Sequence, residues 1–160
     1  MSVAPRNRWK DLYASGNYRE ALAAVDEKEF DGLVARLDQP DLWALADAAR
    51  FAGDGVKARK ALTVFRERFS GTVRAKTAAF LLGRVSVELV ADPGAAARWF
   101  WEYLREEPRG ALAEEALGRL IDASMKSGQI EKARGAAAIY VRDYPDGIFS
   151  ALARNLLEGK

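Results

Sequence analysis

No histidine and no cysteine occurs anywhere in this chain of 160 residues. That removes thiol nucleophiles, imidazole bases, disulfides and the two commonest zinc ligand types together. Carboxylates remain for acid–base work, and adjacent ones stand at Glu106-Glu107 and Glu114-Glu115. Both pairs fall where a helix ends or begins, and acids there commonly cap amides or meet solvent. No Walker loop, no Gly-x-Gly-x-x-Gly fingerprint after a strand and no metal-ligand cluster is present, so the residue types argue against an enzyme. Neither a cofactor nor a metal is expected.

The chemistry left is recognition. Candidate partner-binding residues are Arg6, Lys10 and Tyr13, then Trp43, Asp47 and Arg50, then Phe80 and Arg84, then Glu115, Arg119 and Asp122. Five bases, three acids and three aromatics at helical spacing would suit an extended peptide or a helix bearing carboxylates. The competing reading packs Trp43 and Phe80 between hairpins and leaves the arginines to solvent.

A second candidate is the run Trp99-Phe100-Trp101. Consecutive helical residues are turned by about 100°, so the three cannot share one core. With Ala96, Phe100 and Tyr103 on the buried side, Trp101 falls nearer the polar side. Trp99 and Trp101 thus either pack on the neighbouring hairpin or form a self-association or partner patch.

These side chains need elements to hold them, and the elements repeat. A small residue followed five positions later by alanine recurs four times: Gly16 to Ala21, Gly53 to Ala58, Ala91 to Ala96 and Gly128 to Ala133. The four alanines are 37, 38 and 37 residues apart. Between the marks, apolar residues step by three or four, as in Ala58, Ala61, Leu62, Phe65, Phe69 and in Ile130, Ala133, Ala137, Tyr140, Tyr144. The partner segments do likewise: Leu42, Leu45, Ala46, Ala49, then Ala79, Leu82, Ser86, Leu89, then Ala113, Ala116, Leu117, Leu120, Ser124. Each unit reads as a helical hairpin, and no alternating strand pattern is bounded by hairpin turns. One hairpin cannot bury its own stripe, so stacking is expected, with a capping helix at the end.

The expected fold is therefore all-α: a solenoid of about four hairpins over 6–28, 41–70, 72–108 and 111–145, in one domain spanning 1–160. An extra short helix fills 29–39 and a cap covers 148–158. The first helices of successive hairpins would line a concave groove holding the partner-binding residues named above.

Net charge is only +2, yet it is unevenly spread. Residues 20–47 hold eight acids against two bases, and residues 50–76 hold eight bases against two acids. Solvated faces or a charged partner would each account for the two blocks. Phe51, Phe65 and Phe69 sit at core spacing within the basic block, leaving no stacking platform for nucleic acid. No apolar run approaches the roughly 20 residues needed to cross a bilayer. Residues 1–5 lack an apolar stretch of secretory type, so any membrane attachment is expected through segments outside this chain.

Gly16-Asn17-Tyr18-Arg19-Glu20-Ala21 resembles the turn of tetratricopeptide repeats, and Leu45-Ala46 and Leu82-Gly83 look like that family's large-small pair. Ala78 to Arg84 and Ala113 to Arg119 are similar to bacterial envelope versions, among them outer-membrane assembly lipoproteins and Tol-Pal coordinators. Ala96-Ala97-Arg98-Trp99-Phe100 and Tyr144-Pro145-Asp146-Gly147 resemble the soluble parts of membrane-anchored anti-sigma or FecR-like regulators. The sequence departs from the pattern in a period longer than the usual roughly 34 residues. Ala91 replaces a turn glycine, Leu117-Gly118 comes early, and Asn is missing where the carboxylate-clamp subclass needs it. The resemblance implies a periplasmic protein-binding module, with a cytoplasmic one as the alternative. Self-assembly as a weak homodimer through the aromatic third hairpin is the runner-up.

Overall fold

A computed structural model describes residues 7–159. Ten α-helices and no strand are found among them. In chain order they are α1 (Arg8–Ala14), α2 (Tyr18–Ala23), α3 (Glu27–Arg36), α4 (Gln39–Ala52) and α5 (Gly55–Arg68). There follow α6 (Val73–Glu88), α7 (Pro93–Glu106), α8 (Ala113–Lys126), α9 (Ile130–Asp143) and α10 (Ser150–Leu157). The helices form two compact units that divide between Ala78 and Ala79. Sequential helices pack as adjacent hairpins, α1 with α2 and α4 with α5 in the first unit, α8 with α9 in the second.

The four hairpin turns share one backbone device. Gly16, Gly53 and Gly128 have φ of 77°, 82° and 74°, and Ala91 stands at the corresponding step with φ 56°. Left-handed backbone lets the chain reverse within two to four residues, at no steric cost for glycine and at a cost of roughly 1–2 kcal/mol for alanine. Asp54 and Asp92 then accept the Lys57 and Ala95 amides at 2.9 Å, capping α5 and α7.

α3 differs from the expected short helix in starting at Glu27, because Asp26 caps it by accepting the Lys28 amide at 2.8 Å. The first hairpin accordingly ends at Ala23. Two apolar residues expected on buried stripes, Leu89 and Ile130, are exposed. Both sit at the turn between hairpin arms, beyond the overlap of the paired helices.

The stripes otherwise close the core. Leu42, Leu45, Ala58, Ala61, Leu62 and Phe65 are buried in the first unit, with Trp9, Ala21, Phe30 and Val34. In the second, Phe80, Phe100, Tyr103, Leu120, Ile121 and Tyr140 form one cluster. Burying side chains of this size stabilises by about 1.5–3 kcal/mol each. Gly83 is required by that packing, since a Cβ there would lie 2.6 Å from the Phe100 ring. The early Gly118 serves a different neighbour, the ring of Phe149, which would be 2.1 Å from its Cβ.

A second repeated device joins α7 to α8 and α9 to α10. The hydroxyl of Tyr103 accepts the Leu112 amide at 3.2 Å, and that of Tyr140 accepts the Phe149 amide at 3.1 Å. Leu112 and Phe149 are the N-cap residues of α8 and α10, and neither has a side chain able to cap. A tyrosine from the preceding helix does the capping for them. Gly110 and Gly147 leave room for the hydroxyls, which would stand 2.5 Å and 2.2 Å from an added Cβ. Earlier in the chain Phe65 cannot serve, and Thr72 Oγ1 instead accepts the Ala75 amide at 3.1 Å.

Candidate functional site

The acidic and basic blocks face each other within the first unit. Lys57 Nζ lies 2.6 Å from Glu27 Oε2, and Lys60 Nζ lies 2.6 Å from Asp31 Oδ1. Arg68 Nη1 donates to the Val34 carbonyl at 2.9 Å. α3 therefore lays its acids along the bases of α5, and its Phe30 and Val34 go into the core beneath them. The Glu27 hydrogen bond raises the Lys57 pKa above its ordinary value.

On the α1–α4 face several expected recognition residues meet. Lys10 forms an ion pair with Asp41. The Tyr13 hydroxyl lies 3.4 Å from Asp47 Oδ2, and Arg50 Nη2 donates to Asp47 Oδ1 at 2.9 Å. Burial and the Asp47 charge together push the Tyr13 hydroxyl pKa up. The Arg50 guanidinium lies 4.1 Å from the centre of the Phe51 ring, which stacks on Tyr18 at 4.7 Å; Tyr13 adjoins Tyr18 at 5.6 Å. Phe51 is 51% exposed, so this aromatic–arginine group has an open side. Trp43 lies elsewhere on α4, edge-on to Phe65 at 5.0 Å with Arg74 5.6 Å from its centre. Arg6 lies outside the described residues.

The second unit treats its expected residues differently. Phe80 is 2% exposed, wedged between Phe100 and Tyr103 at 5.6 Å and 5.7 Å, and offers a partner no surface. Its place on the core side follows from the Gly83 gap, which draws Phe100 against α6 and Phe80 with it. Arg84 pairs with Glu88 at 3.0 Å, Arg119 reaches the same Glu88 oxygen at 3.5 Å, and Arg119 binds Glu115 at 2.7 Å. Asp122 pairs with Lys126 at 2.7 Å. Glu88 is thus the unexpected member that knits three of the candidate residues into one charge ladder.

The tryptophans separate. Trp99 is half-buried against the second unit's core, whereas Trp101 is 46% exposed. Trp101 borders a cavity of about 1110 Å³ between α7 and α9, floored by Leu104, Leu117 and Ile139 and reached by Arg109 and Arg142. Sequence reading placed Trp101 outward but missed the cavity, because a gap between non-adjacent helices leaves no periodic trace. The sequence sign that does exist is the basic pair Arg109 and Arg142 beside an exposed tryptophan.

Among the described residues no group of three or more acids is placed to hold a metal ion, and no helix is long and apolar enough to cross a membrane. No protein-family model matches this sequence, and no curated protein matches it.

Proposed function

We propose that this chain is a tetratricopeptide-type module that binds another protein and performs no catalysis. The observation that carries the proposal is the convergence of Tyr13, Tyr18, Asp47, Arg50 and Phe51 on the α1–α4 face. Tyrosine and arginine dominate protein-binding hot spots, and an arginine already fixed by a carboxylate and an aromatic ring loses little freedom on binding. The lack of histidine and cysteine supports the non-catalytic part. An envelope setting rests on the repeat phrases alone, and a partner would then be an envelope protein or a regulator.

The test is photocrosslinking from position 51 in host extract, with and without Asp47→Ala and Arg50→Ala together. Wild type should give one dominant adduct, and the double variant should lose it while keeping its helical circular dichroism. Adducts that are diffuse, or unchanged in the double variant, would remove this face from the reading.

A further inference from the structure

The cavity between α7 and α9 lies on the second-helix side of its hairpins, away from the ladder of Arg84, Glu88, Arg119 and Glu115. It arises because α7 and α9 each pack on α8 and leave its Leu117 as the floor between them. A smaller hollow of about 220 Å³ continues past Trp101 and Ile139 to Lys132. The combined trough has an apolar floor, one half-exposed tryptophan standing at the junction of its two parts, and charge at both ends. Its cations are Arg109, Arg142 and Lys132 and its one anion is Asp143. Asp143 is already held by Arg142 through two bonds of 2.6 Å and 2.9 Å. The excess positive charge on this single surface equals the +2 of the whole chain.

We propose that the α7–α9 trough is a second docking site, one that takes an acidic amphipathic segment of a partner protein. It rests on the reading of the chain as a protein-binding module and adds where and what kind of segment binds. A bulky apolar side chain of that segment would lie against Trp101 over Leu104, Leu117 and Ile139. Its carboxylates would reach Arg109 at one end and Lys132 at the other. Trp101 supplies the large, rigid contact that binding energy concentrates on, and the two cations choose the partner's sign of charge. The cavity, at about 1110 Å³, exceeds the range of about 300–1,000 Å³ typical for small ligands, and its open side suits side chains of a continuous peptide better than an enclosed molecule. By contrast the first-helix charges of this unit are matched among themselves and have less to offer a partner.

The probe is a library of random twelve-residue peptides displayed on phage and selected on the intact chain. Retained peptides should be rich in Asp and Glu around one Leu, Phe or Trp, and Trp101→Ala should lower their retention about tenfold or more. Arg109→Glu with Lys132→Glu should invert the preference toward basic peptides, which a merely destabilised chain would not do. A retained pool with no acidic bias, an empty selection, or a pool indifferent to both variants would overturn the proposal. If the pool depends on Arg50 and Phe51 instead, the module reading stands and the trough falls. Light scattering on the same proteins covers the remaining occupant: a dimer that Trp101→Ala converts to a monomer would assign the trough to a second copy of the chain and overturn the proposal.

Discussion

Tyr140 donates its hydroxyl proton to Glu114 Oε1 at 2.9 Å and with the same oxygen accepts the Phe149 amide at 3.1 Å. One side chain on α9 thus fixes the first turn of α8 and the start of α10. Removing the hydroxyl with Tyr140→Phe leaves the Phe149 amide without its acceptor. The expected loss is about 1–2 kcal/mol of unfolding free energy, read as a lower urea midpoint with unchanged slope.

Gly147→Ala places a Cβ 2.2 Å from the Tyr140 oxygen and 2.4 Å from Glu114 Oε1, and should cost about 1–3 kcal/mol. Because the nearer clash is with the hydroxyl, the two substitutions should couple. Gly147→Ala is expected to cost less in the Tyr140→Phe background, by about 0.5 kcal/mol or more in a double-mutant cycle. Strict additivity would show that the glycine is needed for some reason other than the latch.

Ala91 has the only positive φ on a non-glycine residue among those described. Ala91→Gly should therefore stabilise, by roughly 0.5 kcal/mol after the added chain entropy of glycine is set against the relieved strain. Gly53→Ala at the equivalent turn should destabilise by about 1 kcal/mol. Thermal unfolding of both variants beside wild type gives the comparison, and equal signs would break the equivalence of the two turns.

Ser86 and Ser124 are fully buried, and neither hydroxyl finds a hydrogen-bond partner among the described residues. A buried hydroxyl without a partner gives up its hydration for nothing in return. Ser86→Ala and Ser124→Ala should each be neutral or stabilising by up to about 1 kcal/mol in urea denaturation. A loss above that would mean that each hydroxyl does make a bond in solution.

Burial raises the hydroxyl pKa values of Tyr103 and Tyr140, with a bond to Glu114 adding to the latter. The folded chain therefore holds these protons more tightly than the unfolded one. Their contribution is complete below the ordinary tyrosine value of about 10 and is lost as pH rises through the folded values. Unfolding midpoints should fall steeply above about pH 10. The double substitution Tyr103→Phe, Tyr140→Phe should flatten that fall, and an unchanged alkaline slope would exclude the two hydroxyls as its source.

Much of this architecture could be read from residue spacing. The period of 37 and 38 residues placed all four hairpin turns, and the alanines it marked are buried. Periodicity works there because it reports one face of one helix. It fails for Phe80, whose spacing suits either face; the choice is made by a glycine three residues away and the Phe100 ring that fills its gap. It fails also for the tyrosine latches. Tyrosine at a buried position looks like any aromatic core residue, and only the recurrence of Tyr-x6-Gly at Tyr103 and Tyr140 hints that the hydroxyl has a fixed task. The charge blocks were visible as composition, but their mutual engagement depended on α3 folding back along α5, which no local pattern encodes.

The latch has a consequence for how such a chain grows. Tyr103, Gly110 and Leu112 recur 37 residues on as Tyr140, Gly147 and Phe149, so the fastening to the next segment travels inside the segment itself. Duplicating a stretch of that length copies its own joint along with it. Lengthening by tandem copying then needs no new invention at the seam, whereas the earlier junction, with Phe65 and Thr72, would have to be rebuilt each time.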